Sequence, residues 1–476
     1  MNIITKSEAK KPLIFFTKRL DISIRVCLGA LKIENYFGGA IMNNNPVNRV
    51  KEALTSTIDS LFENRQESLY NPSSAFTRVK KISFEQTILF PMVAGSDNVS
   101  SELLDLFPET NLPLPSAMIQ RRSQVKPDTF RKLFYQFTSR IPVLTTFHGY
   151  QLVSCDGSRL NLPYNPSDTD TFCQYIKGRK GINQLHMNAL YDLQNDIFLD
   201  IVLQPVSEMN EKDAFCQILG HQKEADSGRK RIYLADRGFV SFNIFAHAIQ
   251  NKQHFLIRVQ KSFAEGLCPD RQHWLEESQV DEEVTIHVGR RNTKKNKQLE
   301  NYHYLPATRR YDFIDAHSDN VDCLNLRVLK FPVSEDTCEY IITNLPAYAF
   351  SLTVIKQLYN LRWNQETAFR YLKYPGNMVH IHSLKKEFLL QEIYGKLTAY
   401  NFTSCMIAAI EYQPKKTDKY SYAINHTQAL KICIRFLKGK IQDLESLIVR
   451  FIVPVRPGRR FERNLRRQSA DTLAYR

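Results

Sequence analysis

Three carboxylates, far apart along the chain, carry the first chemical suggestion in this sequence. Asp156 follows the apolar run "LVSC" and precedes a glycine, Asp236 follows "IYLA" and precedes Arg-Gly, and Glu366 lies within "YNLRWNQETAFRYLK". Groups just past strand ends in an open sheet face the crevice where ligands bind, although Asp before Gly is also ordinary turn chemistry. Three hard oxygen donors meeting in one cleft suit Mg²⁺, with Mn²⁺ as a substitute, and not zinc. Two such ions roughly 3.5–4 Å apart would clamp the attacking and leaving oxygens of a phosphodiester.

Glu366 has charged company. At about 100° per residue, Tyr359, Arg362, Glu366, Arg370 and Lys373 fall within a band roughly 80° wide on one helix. Leu361, Ala368 and Leu372 cover the opposite side, and Trp363 and Phe369 border the band. On a solvated helix such a band is a row of i,i+4 ion pairs. Facing a carboxylate cleft, the same cations would hold phosphates, with Tyr359 donating its hydroxyl to a phosphate oxygen. Arg237, beside Asp236, reads equally as a DNA contact or a turn cap.

The elements that must position these groups can be read from periodicity. From Arg49 to about Ile141 the pattern is helical. Within it, "PSAMIQRRSQVKPDTFRKLF" places Arg121 and Arg122 on a basic helix before a turn and a second helix, an arrangement that suits DNA binding but is also plain packing. At His148 the period changes to 2. The order β-β-β-α-β-α-β through residue 260 predicts one mixed sheet with helices packed on it. Asp156 is placed at the end of the first strand and Asp236 at the end of the fourth. Asp192, Asp196 and Asp200 are expected to be solvent-facing around a hairpin turn, and His186 to be structural. Residues 261–348 read as a β-rich insertion, with Lys294, Lys295 and Lys297 at a loop tip. Helix then resumes to about Tyr412, and another spans Thr427 to Ile452.

Bulk composition agrees with a polyanionic partner. Sixty-four Lys and Arg against 49 Asp and Glu give a net charge of +15 over 476 residues, which favours nucleic acid. The nine cysteines are scattered without a C-x-x-C pair, so neither a disulfide framework nor a zinc finger is indicated. No apolar run reaches the roughly 18 residues of a membrane span. Residues 1–41 read either as an upstream extension before a start at Met42 or as a basic arm. The chain ends in an arginine-rich tail from Arg456 onward.

Tyr359-x₂-Arg362-x₃-Glu366-x₆-Lys373 resembles the Y-R-E-K signature of the insertion-sequence transposases of the IS-four group. Asp156 in "CDGSRL" and Asp236 in "LADRGF" match that group's first and second acidic positions, and the resemblance runs from about Met118 to Tyr412. It implies an RNase H-like α/β (α+β) core at 146–260 and 349–412, interrupted by the β-rich insertion. It implies a helical DNA-binding domain at 42–145; the C-terminal helix and basic tail over 413–476 are read from the sequence pattern alone. It further implies a DDE metal triad of Asp156, Asp236 and Glu366 served by two Mg²⁺ ions. The expected partner is double-stranded DNA, both terminal inverted repeats and target, held by a homodimer in the bacterial cytoplasm near the nucleoid. The expected steps are nicking, hairpin closure, reopening and strand transfer, with an aromatic receiving a displaced base. Trp274 and Trp363 are the tryptophans available for that role. Two other readings stay open: a domesticated endonuclease of the same fold, and a DNA-binding relic without catalysis.

Overall fold

Asn45 opens the first helix: its side chain accepts from the Val47 N–H at 2.9 Å, and Pro46 occupies the first helical turn. The computed structural model describes residues 45–455, apart from 79, 142–144, 176–177, 179, 225–227, 272, 335–336, 411 and 413–419. The expectations for residues 1–41 and for the arginines from Arg456 onward lie outside these residues.

Among the described residues, six α-helices precede the sheet: α1 (Pro46–Glu63), α2 (Arg65–Ser68), α3 (Phe84–Val93), α4 (Val99–Leu106), α5 (Pro115–Arg122) and α6 (Pro127–Arg140). Helix α3 starts at a reciprocal cap in which Ser83 accepts from Gln86 N–H and the Gln86 side chain accepts from Ser83 N–H. The chain then forms β1 (Gln151–Leu162), β2 (Phe172–Cys173), β3 (Ile182–Asp192), β4 (Ile197–Pro205), α7 (Glu211–Glu224), β5 (Arg231–Ala235), α8 (Phe242–Gln250) and β6 (His254–Val259). Strand β1 is antiparallel to β3, β3 to β4, and β1, β5 and β6 are mutually parallel. That order, β4-β3-β1-β5-β6 with an antiparallel meander feeding parallel strands, is the RNase H-like core.

The segment after β6 holds α9 (Lys261–Leu267), α10 (His273–Glu276), β7 (Val280–Gly289), β8 (Tyr302–Tyr304), β9 (Val321–Ser334) and β10 (Thr337–Thr343). It is β-rich as predicted, yet it forms no sheet of its own. Strand β10 pairs antiparallel with β6, and β9, β7 and β8 follow, so the insertion extends the core sheet to ten strands.

The sheet is apolar on both faces, and alternation along the strands decides which face each residue serves. Leu152, Ile232, Leu234 and Leu256 enter one core, together with helices α1, α3 and α6 and the later helices α11 (Leu352–Leu361), α12 (Trp363–Lys373) and α13 (Lys386–Ala409). Val153, Cys155, Tyr233, Ala235 and Ile257 enter the other, against α7, α8 and the insertion. Helix α13 is the axis of the first core: Phe402 lies close to Phe137 of α6, and Tyr400 meets Phe198 of β4. The N-terminal helices therefore share their main core with the sheet. The predicted C-terminal helix is two, α14 (His426–Leu437) and α15 (Leu444–Arg450), with β11 (Tyr422–Ile424) and β12 (Ile452–Pro454) pairing alongside.

Several side chains sit differently from expectation. Asp192 and Asp200 are fully buried, not solvent-facing. Asp192 accepts from Gln151 Nε2, the Gln194 and Asn195 amides and Asn195 Nδ2, while Asp200 accepts from Tyr135, Gln222 and the His221 ring. These donors replace water around each carboxylate. Arg122 is likewise no surface DNA contact: it is 3 % exposed and buried against α13. There it donates to Gln391 Oε1, Glu392 Oε1 and the Phe388 carbonyl.

Candidate active site

Asp156 lies within β1, not at its end, because β3 continues to pair with β1 as far as Leu162. On the other side, β5 pairs only with Gln151 to Ser154. Beyond that point β1 has one free flank, and burial along the strand falls from buried at Cys155 to partial at Asp156. Asp236 is the first residue past β5, still extended, and its Oδ1 accepts from Gly238 N–H at 2.8 Å to cap a short 3₁₀ turn. Both aspartates fall on the alternation of Leu152, Ile232 and Leu234, so both project on the α12 side of the sheet.

Helix α12 is held there by packing and by a hydrogen bond from Gln365. Phe369 lies 5.8 Å from Phe198, Ala368 and Leu372 are buried, and Gln365 Nε2 donates to the Ala189 carbonyl of β3 at 2.8 Å. The helical stretch predicted from Ser351 onward, with breaks, has a joint at Arg362, where α11 ends and α12 begins. The amide bonds Arg362 N to Tyr359 O and Gln365 N to Arg362 O are three-residue steps that overwind the joint. Arg362 stays in the helical region of backbone space, so the predicted stripe continues across it.

The stripe is not a solvated face. Arg362 is 5 % exposed, with Nη1 at 3.9 Å from Asp156 Oδ2 and Nη2 at 3.7 Å from Glu366 Oε1. Burial opposes its charge, but Tyr359, Asp156, Glu366 and Asp236 hold it protonated. Burial is also the main reason the Asp156 carboxyl is pushed up to about 6; Arg362 and the Gly157 amide pull it down, and Asp236 and Glu366 raise it. Asp236 and Glu366 thus act on Asp156 beside the Arg362 guanidinium. Tyr359 is buried, and its hydroxyl has no hydrogen-bond partner among the described residues. Burial pushes its pKa far up. Arg370 is exposed and donates to Thr367; Lys373 is half-buried, and burial lowers its pKa. Arg237 is exposed beside Asp236.

The donor set fits a hard divalent ion in its chemistry: three carboxylates, one of them half-buried and crowded by the other two. A ready ligand cluster is not formed among the described residues. Glu366 is directed at Arg362, and its side chain is 35 % exposed, which leaves it room to turn.

Periodicity did not reveal the groups around this centre. His186 of β3, 4 % exposed, pairs through Nε2 with Glu211 Oε1 at 3.0 Å. That pair lies against Gly157, where a Cβ would stand 2.4 Å from the imidazole and 2.5 Å from the carboxylate. Arg258 of β6 meets Glu339 of β10 at 3.0 Å, and both act electrostatically on Tyr359. Of the two tryptophans, Trp274 is buried in the second core and offers no face to a base, while Trp363 is half-buried with the Arg362 guanidinium 4.6 Å over its ring.

A search of curated proteins finds no match. Among solved structures, the cryo-EM structure of a piggyBac transposase synaptic complex with hairpin DNA aligns with a TM-score of 0.42 at 10 % identity, over 83 % of this chain and 80 % of that one. The family model of the transposase DDE domain matches residues 147–402, more than half of the chain and the span that holds Asp156, Asp236 and Glu366. The chain belongs to the transposase DDE domain family.

Proposed function

We propose that this protein is a cut-and-paste transposase of the IS-four group that binds the terminal inverted repeats of its element, cleaves the DNA beside them and joins the ends to a target. The observation that carries this reading is the buried Arg362 guanidinium lying between Asp156 and Glu366 at the free flank of β1, with Asp236 in electrostatic reach of both Arg362 and Asp156. Asp156, Asp236 and Glu366 would hold two Mg²⁺ ions, which supply activation of the attacking oxygen and neutralise charge on the leaving oxygen. Occupation requires Glu366 to turn from Arg362, which frees the guanidinium to take a phosphate oxygen. Arg237, Arg370 and Lys373 add positive charge along the DNA path. Tyr359, roofed by protein, offers its unengaged hydroxyl to a phosphate drawn in against Arg362. Cleavage and joining of two ends call for two copies of the chain in the synaptic complex, on chromosomal DNA.

The test is cleavage of a duplex carrying the element's own end, with and without Mg²⁺. Asp156→Asn, Asp236→Asn and Glu366→Gln should each abolish cutting while retaining DNA binding; normal cutting by any of them removes that residue from the assignment. A plasmid integration assay then separates a transposase, which yields joined products, from an endonuclease, which does not.

A further inference from the structure

Adjacent arginines on α5 have opposite fates. Arg122 is neutralised by Glu392, but Arg121, 7 % exposed, has no carboxylate partner among the described residues. Its guanidinium stacks 4.5 Å from the Phe76 ring, and Nη1 donates to Gln124 Oε1, a neutral acceptor. Burial alone acts on it, against its charge. A covered cation without a counter-ion is costly unless something else supplies the negative charge.

What lies beside it is a polar cavity of about 310 Å³. Ser73, Ser74, Thr77, Arg78 and Lys80 line it with Arg121, and among the described residues no carboxylate does. Its wall is the loop between α2 and α3, tied to the α5–α6 turn by Tyr70 N–H to the Gln124 carbonyl and by the Leu69–Val125 bridge. Arg78 and Lys80 stand exposed at the rim. Three cations and three hydroxyls around a cavity suit a tetrahedral oxyanion with several acceptor oxygens. The chain's net charge of +15 draws it to polyanions, and among these the DNA backbone presents such an oxyanion at every nucleotide.

We propose that this cavity binds a backbone phosphate of the DNA, with Arg121 as its fixed floor and Arg78 and Lys80 closing over the outer oxygens. The proposal rests on the DNA-binding reading above. It replaces the expectation that Arg121 and Arg122 act together: only Arg121 faces a ligand. A contact of this kind positions the duplex without reading its sequence.

The test uses the full chain and fluorescence anisotropy on an end-containing duplex and an unrelated one, from 50 to about 300 mM NaCl. Arg78→Ala with Lys80→Ala, at exposed positions that the fold does not use, and Arg121→Met, which keeps the packing on Phe76, should each weaken both duplexes about tenfold. The slope of log K against log salt should become shallower by about 1 for each cation that contacts the phosphate. Unchanged affinity and slope in the rim variant, beside a wild type that binds DNA, overturn this inference alone. A wild type without DNA binding overturns it together with the functional reading. Inorganic phosphate that raises the wild-type melting temperature above a chloride control, but not that of the rim variant, would assign the cavity to free phosphate if DNA binding were unaltered, and would overturn the DNA assignment.

Discussion

Asp156 on β1 and Asp236, one residue past the end of the parallel strand β5, share one register offset. Each β1 residue from Gln151 to Ser154 pairs with the β5 residue 80 positions later, and the same offset, carried two residues past the last pair, joins the two aspartates. Strand pairing therefore fixes their approach, and neighbouring strands lie roughly 4.8 Å apart. Asp156→Asn keeps the shape and removes one charge from a crowded, half-buried position. Cleavage should fall by about 10³-fold or more. Without metal, the melting temperature at pH 7 should rise, because burial and like charge oppose the carboxylate. A lower melting temperature in EDTA would show that the carboxylate is a structural group.

Arg362 occupies the place between Asp156 and Glu366 that a cation would take. In its absence the carboxylates face each other uncompensated. Arg362→Ala should therefore lower the melting temperature in EDTA by several degrees, and Mg²⁺ should restore more of it than in wild type. Scanning calorimetry in both buffers reads this directly. Equal Mg²⁺ effects on the two proteins would mean that Arg362 and the metal do not share the site.

How much of this was legible depends on where each residue's partners lie. Asp236 could be placed because a short apolar strand and an Asp-Arg-Gly turn are adjacent in sequence. The height of Asp156 could not, since it follows from β5 ending while β3 continues. Alternation revealed the strands of the insertion, but their pairing with β6 is a contact across more than 80 residues. Asp200 looks solvated until Tyr135, 65 residues earlier, and the His221–Gln222 pair are folded around it. Arg122 looked like a DNA contact for the same reason, its counter-ion lying 270 residues away.

Removing that counter-ion is informative. Arg122 and Glu392 are 4 % and 1 % exposed at their side chains and 3.2 Å apart, and His382 also bonds Glu392. Arg122→Ala strands a buried carboxylate, so stability should fall by about 3–5 kcal/mol. Urea denaturation measures the loss, and DNA affinity per folded molecule should be unchanged. A loss below about 1 kcal/mol would mean that water reaches Glu392.

Gly157 has no room for a side chain, with His186 and Glu211 across from it. Gly157→Ala should cost about 1–3 kcal/mol by overpacking and displace the neighbouring Asp156 enough to reduce cleavage. Adding His186→Ala opens the space and should return part of the stability. If the double variant is as unstable as the sum of the two singles, the contact is not the cause.

His426 makes stability depend on pH. Its ring stacks on Tyr371 at 4.4 Å, its Nε2 lies 3.4 Å from Ser404 Oγ, and burial pushes its pKa from 6.5 down to about 4. Between those two values the unfolded chain binds a proton at His426 and the folded chain does not. The contribution is therefore complete above pH 6.5 and is lost as the pH falls towards 4. From pH 6.5 to 5 it amounts to about 2 kcal/mol. His382 opposes this, since its hydrogen bond to Glu392 raises its pKa and favours the folded state on the acid side. The measurement is accordingly a difference: urea unfolding of wild type and His426→Asn at pH 7.5 and 5. The variant should lose less stability between the two pH values, and equal losses would mean that His426 is protonated in the folded protein.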